Sequence, residues 1–119
     1  MSGARAAIAC ANGTVALHLA LRTLDLRPGD EVIVPSFVYV ATANAVKFCG
    51  AEPVFVEVSP HSWCIDPDRI EEAITPRTKG IFPVDLYRHP ADLDPIRRIA
   101  AIYGLCVVED AAEAALARY

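Results

Sequence analysis

The sequence predicts an α/β fold of three layers, αβα, with a mostly parallel sheet in the middle. Three observations predict it. Short apolar runs alternate with stretches of helical periodicity along the chain, which is the pattern of βαβ units. The breaks between them fall at Gly, Pro, Asn-Gly and Asp-Pro, the residues that punctuate local structure. Finally, 54% of the 119 residues are hydrophobic, with a mean hydropathy of +0.31. A domain this small has much surface per residue and should be more polar. A sheet covered on both faces accounts for the surplus, together with a surface that meets further protein.

The elements follow in order. Ala7 to Cys10 is a short apolar run, read as a strand ending at Asn12-Gly13. From Thr14, a fair N-cap, Val15, Leu17, Leu19, Ala20, Leu21 and Leu24 recur at helical spacing. Arg27-Pro28-Gly29-Asp30 breaks that helix, and Glu31 to Val34 follows as a strand closed by Pro35. Alanine-rich Tyr39 to Phe48 reads as a second helix ending near Gly50. Pro53 to Val58 is a third strand. Asp66-Pro67 opens a helix through Ala73, with proline at the favoured first position. Lys79 to Val84 is a fourth strand. Asp94-Pro95 opens a helix that runs to Tyr103 and stops at Gly104, and Leu105 to Val108 is the fifth strand.

A net charge of -4 with well-mixed signs argues against nucleic acid or an anionic membrane as partner, since both demand a basic face. Nothing approaches the roughly 20 apolar residues of a membrane span. The N-terminal apolar run is too short for a signal peptide, so a cytoplasmic location is expected. The four cysteines form no C-x-x-C pair and no metal site is expected. Cys10 and Cys106 lie in apolar runs, where cysteine behaves as a small hydrophobe. His18, His61 and His89 receive no catalytic role, and Trp63 reads as a packing residue.

Ligands of parallel sheets gather at the carboxyl ends of the strands. That rule points to residues 12–14, 35–39, 83–89 and 109–113. At Asn12-Gly13-Thr14 a strand turns into a helix. Gly13 lets an anion approach the backbone, the next amides face it, and Thr14 adds a hydroxyl. The same residues serve equally as an ordinary turn and cap, and they form neither a Walker A loop nor a G-x-G-x-x-G fingerprint. Asp110 is either a helix cap or a carboxylate facing a cation. Tyr39 either packs in the core or lies flat against a planar heterocycle.

Several linked motifs narrow the choice. Asn12-Gly13-Thr14-Val15-Ala16-Leu17, Pro28 to Pro35, Val40-Ala41-Thr42-Ala43-Asn44-Ala45, Ile74 to Lys79 and Glu109-Asp110-Ala111-Ala112-Glu113 occur in that order. Together, from about Ala6 onward, they resemble the DegT/DnrJ/EryC1/StrS family of sugar aminotransferases. Glu113 and residues 90–95 are similar to perosamine-synthase-like members. The resemblance implies the fold type I pyridoxal-phosphate architecture and a cofactor held by Gly13, Thr14, Tyr39, Asp110 and Glu113. Gly13 and Thr14 would seat the phosphate, Tyr39 would stack on the pyridine, and catalytic Asp110 would keep the ring nitrogen protonated. It further implies a nucleotide-linked 4-keto-6-deoxy sugar as substrate, glutamate as amino donor, and a homodimer.

The sequence also departs from that pattern. Glu113 stands where many relatives have Gln or His near the cofactor's phenolic oxygen, which would repel a carboxylate. It must be protonated, turned aside or given to the substrate. Arg88 and Leu116 replace common glycines, whose positions often need a positive φ, and Asp85 replaces a histidine. Lys47 and Lys79 are the only lysines, and neither matches the cofactor-binding lysine of the family. The expectation is therefore a partial large domain over residues 1–119. It would lack the lead-in, the lysine segment and the small domain, and would be inactive and poorly soluble by itself. The alternatives are a non-catalytic truncated or decayed fragment, a sugar dehydratase with His in place of the lysine, and an unrelated phosphate-binding module.

Overall fold

The computed structural model describes residues 5–114; Leu116 lies outside them. Four parallel strands form one sheet: β1 (Glu31–Pro35), β2 (Glu52–Val56), β3 (Thr78–Ile81) and β4 (Cys106–Val107), in the order β2-β1-β3-β4. Helices α1 (Gly13–Arg22), α2 (Val40–Phe48) and α3 (Leu93–Tyr103) supply the outer layers. All five residues of β1 are buried, as expected for a central strand covered on both sides. Side chains alternate across the pleat, so β1 feeds two cores. Val32 and Val34 pack with Leu21, Ala45, Val46 and Phe82 on the α1/α2 side. Ile33 joins Ile65, Ile70, Ile81, Ile96 and Ile99 on the α3 side. The predicted three-layer architecture is present.

Three elements differ from expectation, each for a local reason. Ala7 to Cys10 is not a strand: residues 5–10 are exposed and lie outside the sheet. An apolar run becomes a strand only where a neighbour accepts its hydrogen bonds. Asn12, not Thr14, caps α1, because its extended backbone brings Oδ1 to 3.0 Å from the Val15 amide. Residues 67–73 form two 3-10 turns, Pro67–Arg69 and Glu71–Ala73, rather than one α-helix. Eight residues between Asp66 and the Thr75-Pro76 turn are too few for cooperative α-helix to win. Cys10 and Cys106 are exposed, so the small-hydrophobe reading fits only Cys49 and Cys64.

Two details position the site. Gly80 lets β3 and β4 close up, since a Cβ there would lie 3.1 Å from the Cys106 carbonyl oxygen. At the amino ends of the strands, buried Glu31 accepts hydrogen bonds from Arg77 and the Thr75 hydroxyl, which ties down the loop entering β3.

Beyond β3 the chain makes a tight turn, with Leu86 and His89 exchanging backbone hydrogen bonds of 3.2 and 2.8 Å. Tyr87 and Arg88 between them both have positive φ, 52° and 67°. Such a two-residue turn favours Asn-Gly, and a side chain in this conformation costs about 1–2 kcal/mol. Arg88→Gly is expected to raise stability by about 1 kcal/mol. Denaturant unfolding of both proteins checks this, and an unchanged midpoint would show that the turn carries no strain.

Candidate cofactor site

The carboxyl ends of the strands and the starts of α1 and α2 surround a cavity of about 300 Å³. Its wall contains Gly13, Thr14 and Leu17 of α1, Tyr39 and Ala41, Val84 to Leu86, and Asp110, Ala112 and Glu113. A larger space of about 470 Å³ opens near Thr75, Lys79 and Tyr103, at the other end of the sheet, and touches none of these residues.

At one side lies the start of α1. Asn12 satisfies the Val15 amide with its side chain and the Ala16 amide with its carbonyl, at 3.0 and 3.1 Å. Among the described residues, the amides of Gly13 and Thr14 have no protein acceptor. Free amides at the positive end of a helix dipole attract an anion. A Cβ on Gly13 would meet nothing within 4 Å. The glycine therefore leaves room rather than relieving strain.

Asp110 also lines the cavity and is half-buried. Its amide donates to the Pro83 carbonyl at 3.0 Å, and its carbonyl accepts from the Asp85 amide at 2.9 Å, so the extensions of β3 and β4 fix its backbone. The Ala112 amide donates to Oδ1 at 3.1 Å, and the Thr42 hydroxyl lies 3.4 Å from Oδ2. Thr42 is fully buried and was not legible as a site residue, because its partner is 68 positions away. Each oxygen keeps lone-pair capacity for a ligand.

Tyr39 directly precedes α2 and is 76% exposed, so it is no core residue. Glu113 is turned onto the backbone: the Tyr87 amide donates to Oε2 at 2.9 Å. Both lysines sit at the amino ends of the strands. Lys47 holds Glu52 at 2.7 Å, and Lys79 lies 3.9 Å from Asp30. His89 places Nδ1 3.1 Å from the Pro90 oxygen and does not line the cavity. Trp63 packs its ring against Phe37 while remaining half exposed. Among the described residues, no group of His, Cys, Asp or Glu could hold a metal ion, and no helix is long and apolar enough to cross a membrane.

Another acid of the cavity wall is Asp85, which the sequence marked only as a departure from the family pattern; it is 3% exposed, with Oδ1 accepting the Ala91 amide at 2.9 Å. Burial pushes its carboxyl above the usual range, Asp110 adds to the rise, and the Ala91 hydrogen bond and His89 oppose it. A folded value above the unfolded one means that the native state holds the proton more tightly. That contribution is full below the ordinary carboxylate range and is lost as pH rises through the raised value. Asp85→Asn keeps an oxygen for the Ala91 amide. It should raise the melting temperature by a few degrees at neutral pH, with the gap narrowing toward acid. Thermal unfolding across that range checks it, and a pH-independent gap would contradict it.

A helix start and a carboxylate that line one small cavity, at the carboxyl ends of a parallel sheet, make a candidate ligand site in an α/β domain. It suits a molecule with an anionic and a cationic end. Comparison with known proteins makes the assignment specific: the chain belongs to the DegT/DnrJ/EryC1/StrS aminotransferase family, whose model matches residues 1–119. It is 54% identical over 117 residues to GDP-perosamine synthase of Caulobacter vibrioides, covering 98% of this chain and 32% of that protein. It is 52% identical over 117 residues to UDP-2-acetamido-2-deoxy-3-oxo-D-glucuronate aminotransferase of Pseudomonas aeruginosa, covering 98% and 33%. Among solved structures, the aminotransferase from Psychrobacter cryohalolentis matches with a TM-score of 0.88 at 42% identity, over 91% of this chain and 27% of that one. A Bacillus subtilis protein with bound cofactor PMP matches with a TM-score of 0.81 at 52% identity, over 83% and 23%. The chain thus spans about a third of the length of the relatives it matches.

Proposed function

We propose that residues 1–119 are the cofactor-binding part of the large domain of a pyridoxal-phosphate sugar aminotransferase. One observation carries this reading: free amides at Gly13 and Thr14, the ring of Tyr39 and the carboxylate of Asp110 line a single cavity of about 300 Å³, at the small end of ligand pockets. Gly13 and Thr14 would bind the phosphate, and Tyr39 would cover one face of the ring. Asp110, oriented by Thr42 and Ala112, would hold the proton on the ring nitrogen. Glu113 would brace the wall through the Tyr87 amide. When bound, the cofactor supplies an electron sink for the substrate carbon that loses its proton. The reaction proposed for the whole protein is amination of a nucleotide-linked 4-keto-6-deoxy sugar by glutamate, supported by the likeness to a perosamine synthase.

A second reading, cofactor binding without catalysis by these residues alone, is favoured by the placement of both lysines away from the cavity. Fluorescence titration with pyridoxamine 5′-phosphate tests the common core of both. Saturable binding that inorganic phosphate competes away is expected. Absence of saturable binding would overturn them together. If binding holds, pyridoxal phosphate added to residues 1–119 should give no lysine-dependent absorbance band, and the appearance of one would overturn the second reading.

A further inference from the structure

The four segments at the carboxyl ends of the strands, residues 12–14, 35–39, 83–89 and 109–113, contain one arginine and no lysine. That arginine, Arg88, is exposed, and its guanidinium has no ion pair or hydrogen bond among the described residues. It sits on the turn whose ends, Leu86 and His89, exchange backbone hydrogen bonds. The turn is fastened to the cavity: Leu86 and Glu113 belong to the wall, and Glu113 accepts the Tyr87 amide at 2.9 Å. Two peptide units place the Arg88 Cα within about 7.6 Å of the Leu86 Cα, at the rim. Tyr87 and Arg88 are both held at positive φ, and backbone outliers fixed by their surroundings are found at ligand clamps. A turn so constrained has little backbone freedom left to lose on binding.

The wall itself is ill suited to a polyanion. Asp85, Asp110 and Glu113 line it, and no lysine, arginine or histidine does. A nucleotide-linked sugar is also larger than a cavity of about 300 Å³ that the cofactor would already occupy. Its two linked phosphates therefore belong at or beyond the rim, where a planar guanidinium pairs well with phosphate oxygens.

We propose that Arg88 binds the diphosphate of the nucleotide-linked substrate, its guanidinium forking onto one phosphate. The inference rests on the reading above and adds to it a residue that holds the substrate outside the cofactor cavity. A glycine at this position would relax the turn and lose the contact, so stability and substrate binding move in opposite directions.

Calorimetric titration of GDP and of UDP into protein saturated with pyridoxamine 5′-phosphate tests this. The filled cofactor seat keeps both probes away from the amides of Gly13 and Thr14. At least one of the two should bind the wild type saturably, and Arg88→Gly should weaken that binding by about tenfold, although this variant is the more stable one expected above. Arg88→Lys keeps the charge without the fork and should recover part of the loss. Arg98→Ala, which removes an exposed arginine of α3, should change the affinity by less than about twofold. Equal affinity in the wild type and Arg88→Gly, an equal loss in Arg98→Ala, or no binding of either nucleotide to the wild type would overturn the proposal and leave the cofactor reading standing. Failure of pyridoxamine phosphate to bind would overturn that reading and this one with it.

Discussion

Gly13→Asp is expected to weaken pyridoxamine phosphate binding by about a hundredfold while leaving the protein as stable as before, or slightly more so. The two effects have opposite signs for one physical reason. The first turn of α1 carries no acidic residue, and a carboxylate there interacts favourably with the helix dipole by about 0.3–1 kcal/mol. The substitution is sterically free, because a Cβ at this position meets nothing within 4 Å and Gly13 is not among the residues with positive φ. The charge that suits the helix occupies the place proposed for the phosphate and repels it. Melting temperature and Kd measured on the same preparations separate the roles. Unchanged binding would place the anion elsewhere, and a large loss of stability would show that the glycine serves the turn.

On the function proposed above, Asp110→Asn is expected to cut the rate of amino transfer by roughly 10²–10³-fold, with cofactor affinity changed by less than about tenfold. The variant is nearly isosteric and retains an oxygen for the Ala112 amide, so the fold should survive. What it loses is the negative charge proposed to keep a proton on the ring nitrogen, a proton that would matter most when electrons flow into the ring. Thr42→Val, which removes only the hydroxyl facing Oδ2, should produce a smaller loss of about tenfold. Rate and affinity falling together in Asp110→Asn would demote Asp110 to an ordinary binding contact.

Much of this arrangement was legible from the chain. The alternation of apolar runs with helical patterns implied a parallel sheet, and one topological rule then selected four segments that supply all of the cavity wall but Leu17 and Ala41. Gly13, Thr14, Tyr39, Asp110 and Glu113 come from segments that begin as far apart as residues 12 and 109, yet all line it. What escaped depended on partners rather than on pattern. Ala7 to Cys10 has strand-like composition but pairs with no neighbour among the described residues. The length of the Pro67–Ala73 segment, not its start signal, set its helix type. Thr42 touches Asp110 only through the fold. Asp85 was visible as a departure from the family pattern, but its burial beside a second acid belongs to three dimensions. Arg88 was readable at once, since a positive φ was expected where relatives carry glycine, and φ is 67° there.

The weakest-anchored helix carries the proposed anion seat. Of the ten residues of α1 only Leu21 is fully buried, and the exposed stretch before it pairs with no strand among the described residues. A phosphate gripping the first amides would act as a tether that the polypeptide does not itself provide. Occupancy should therefore slow hydrogen exchange in α1 more than in α3, whose four buried residues already clamp it to the sheet.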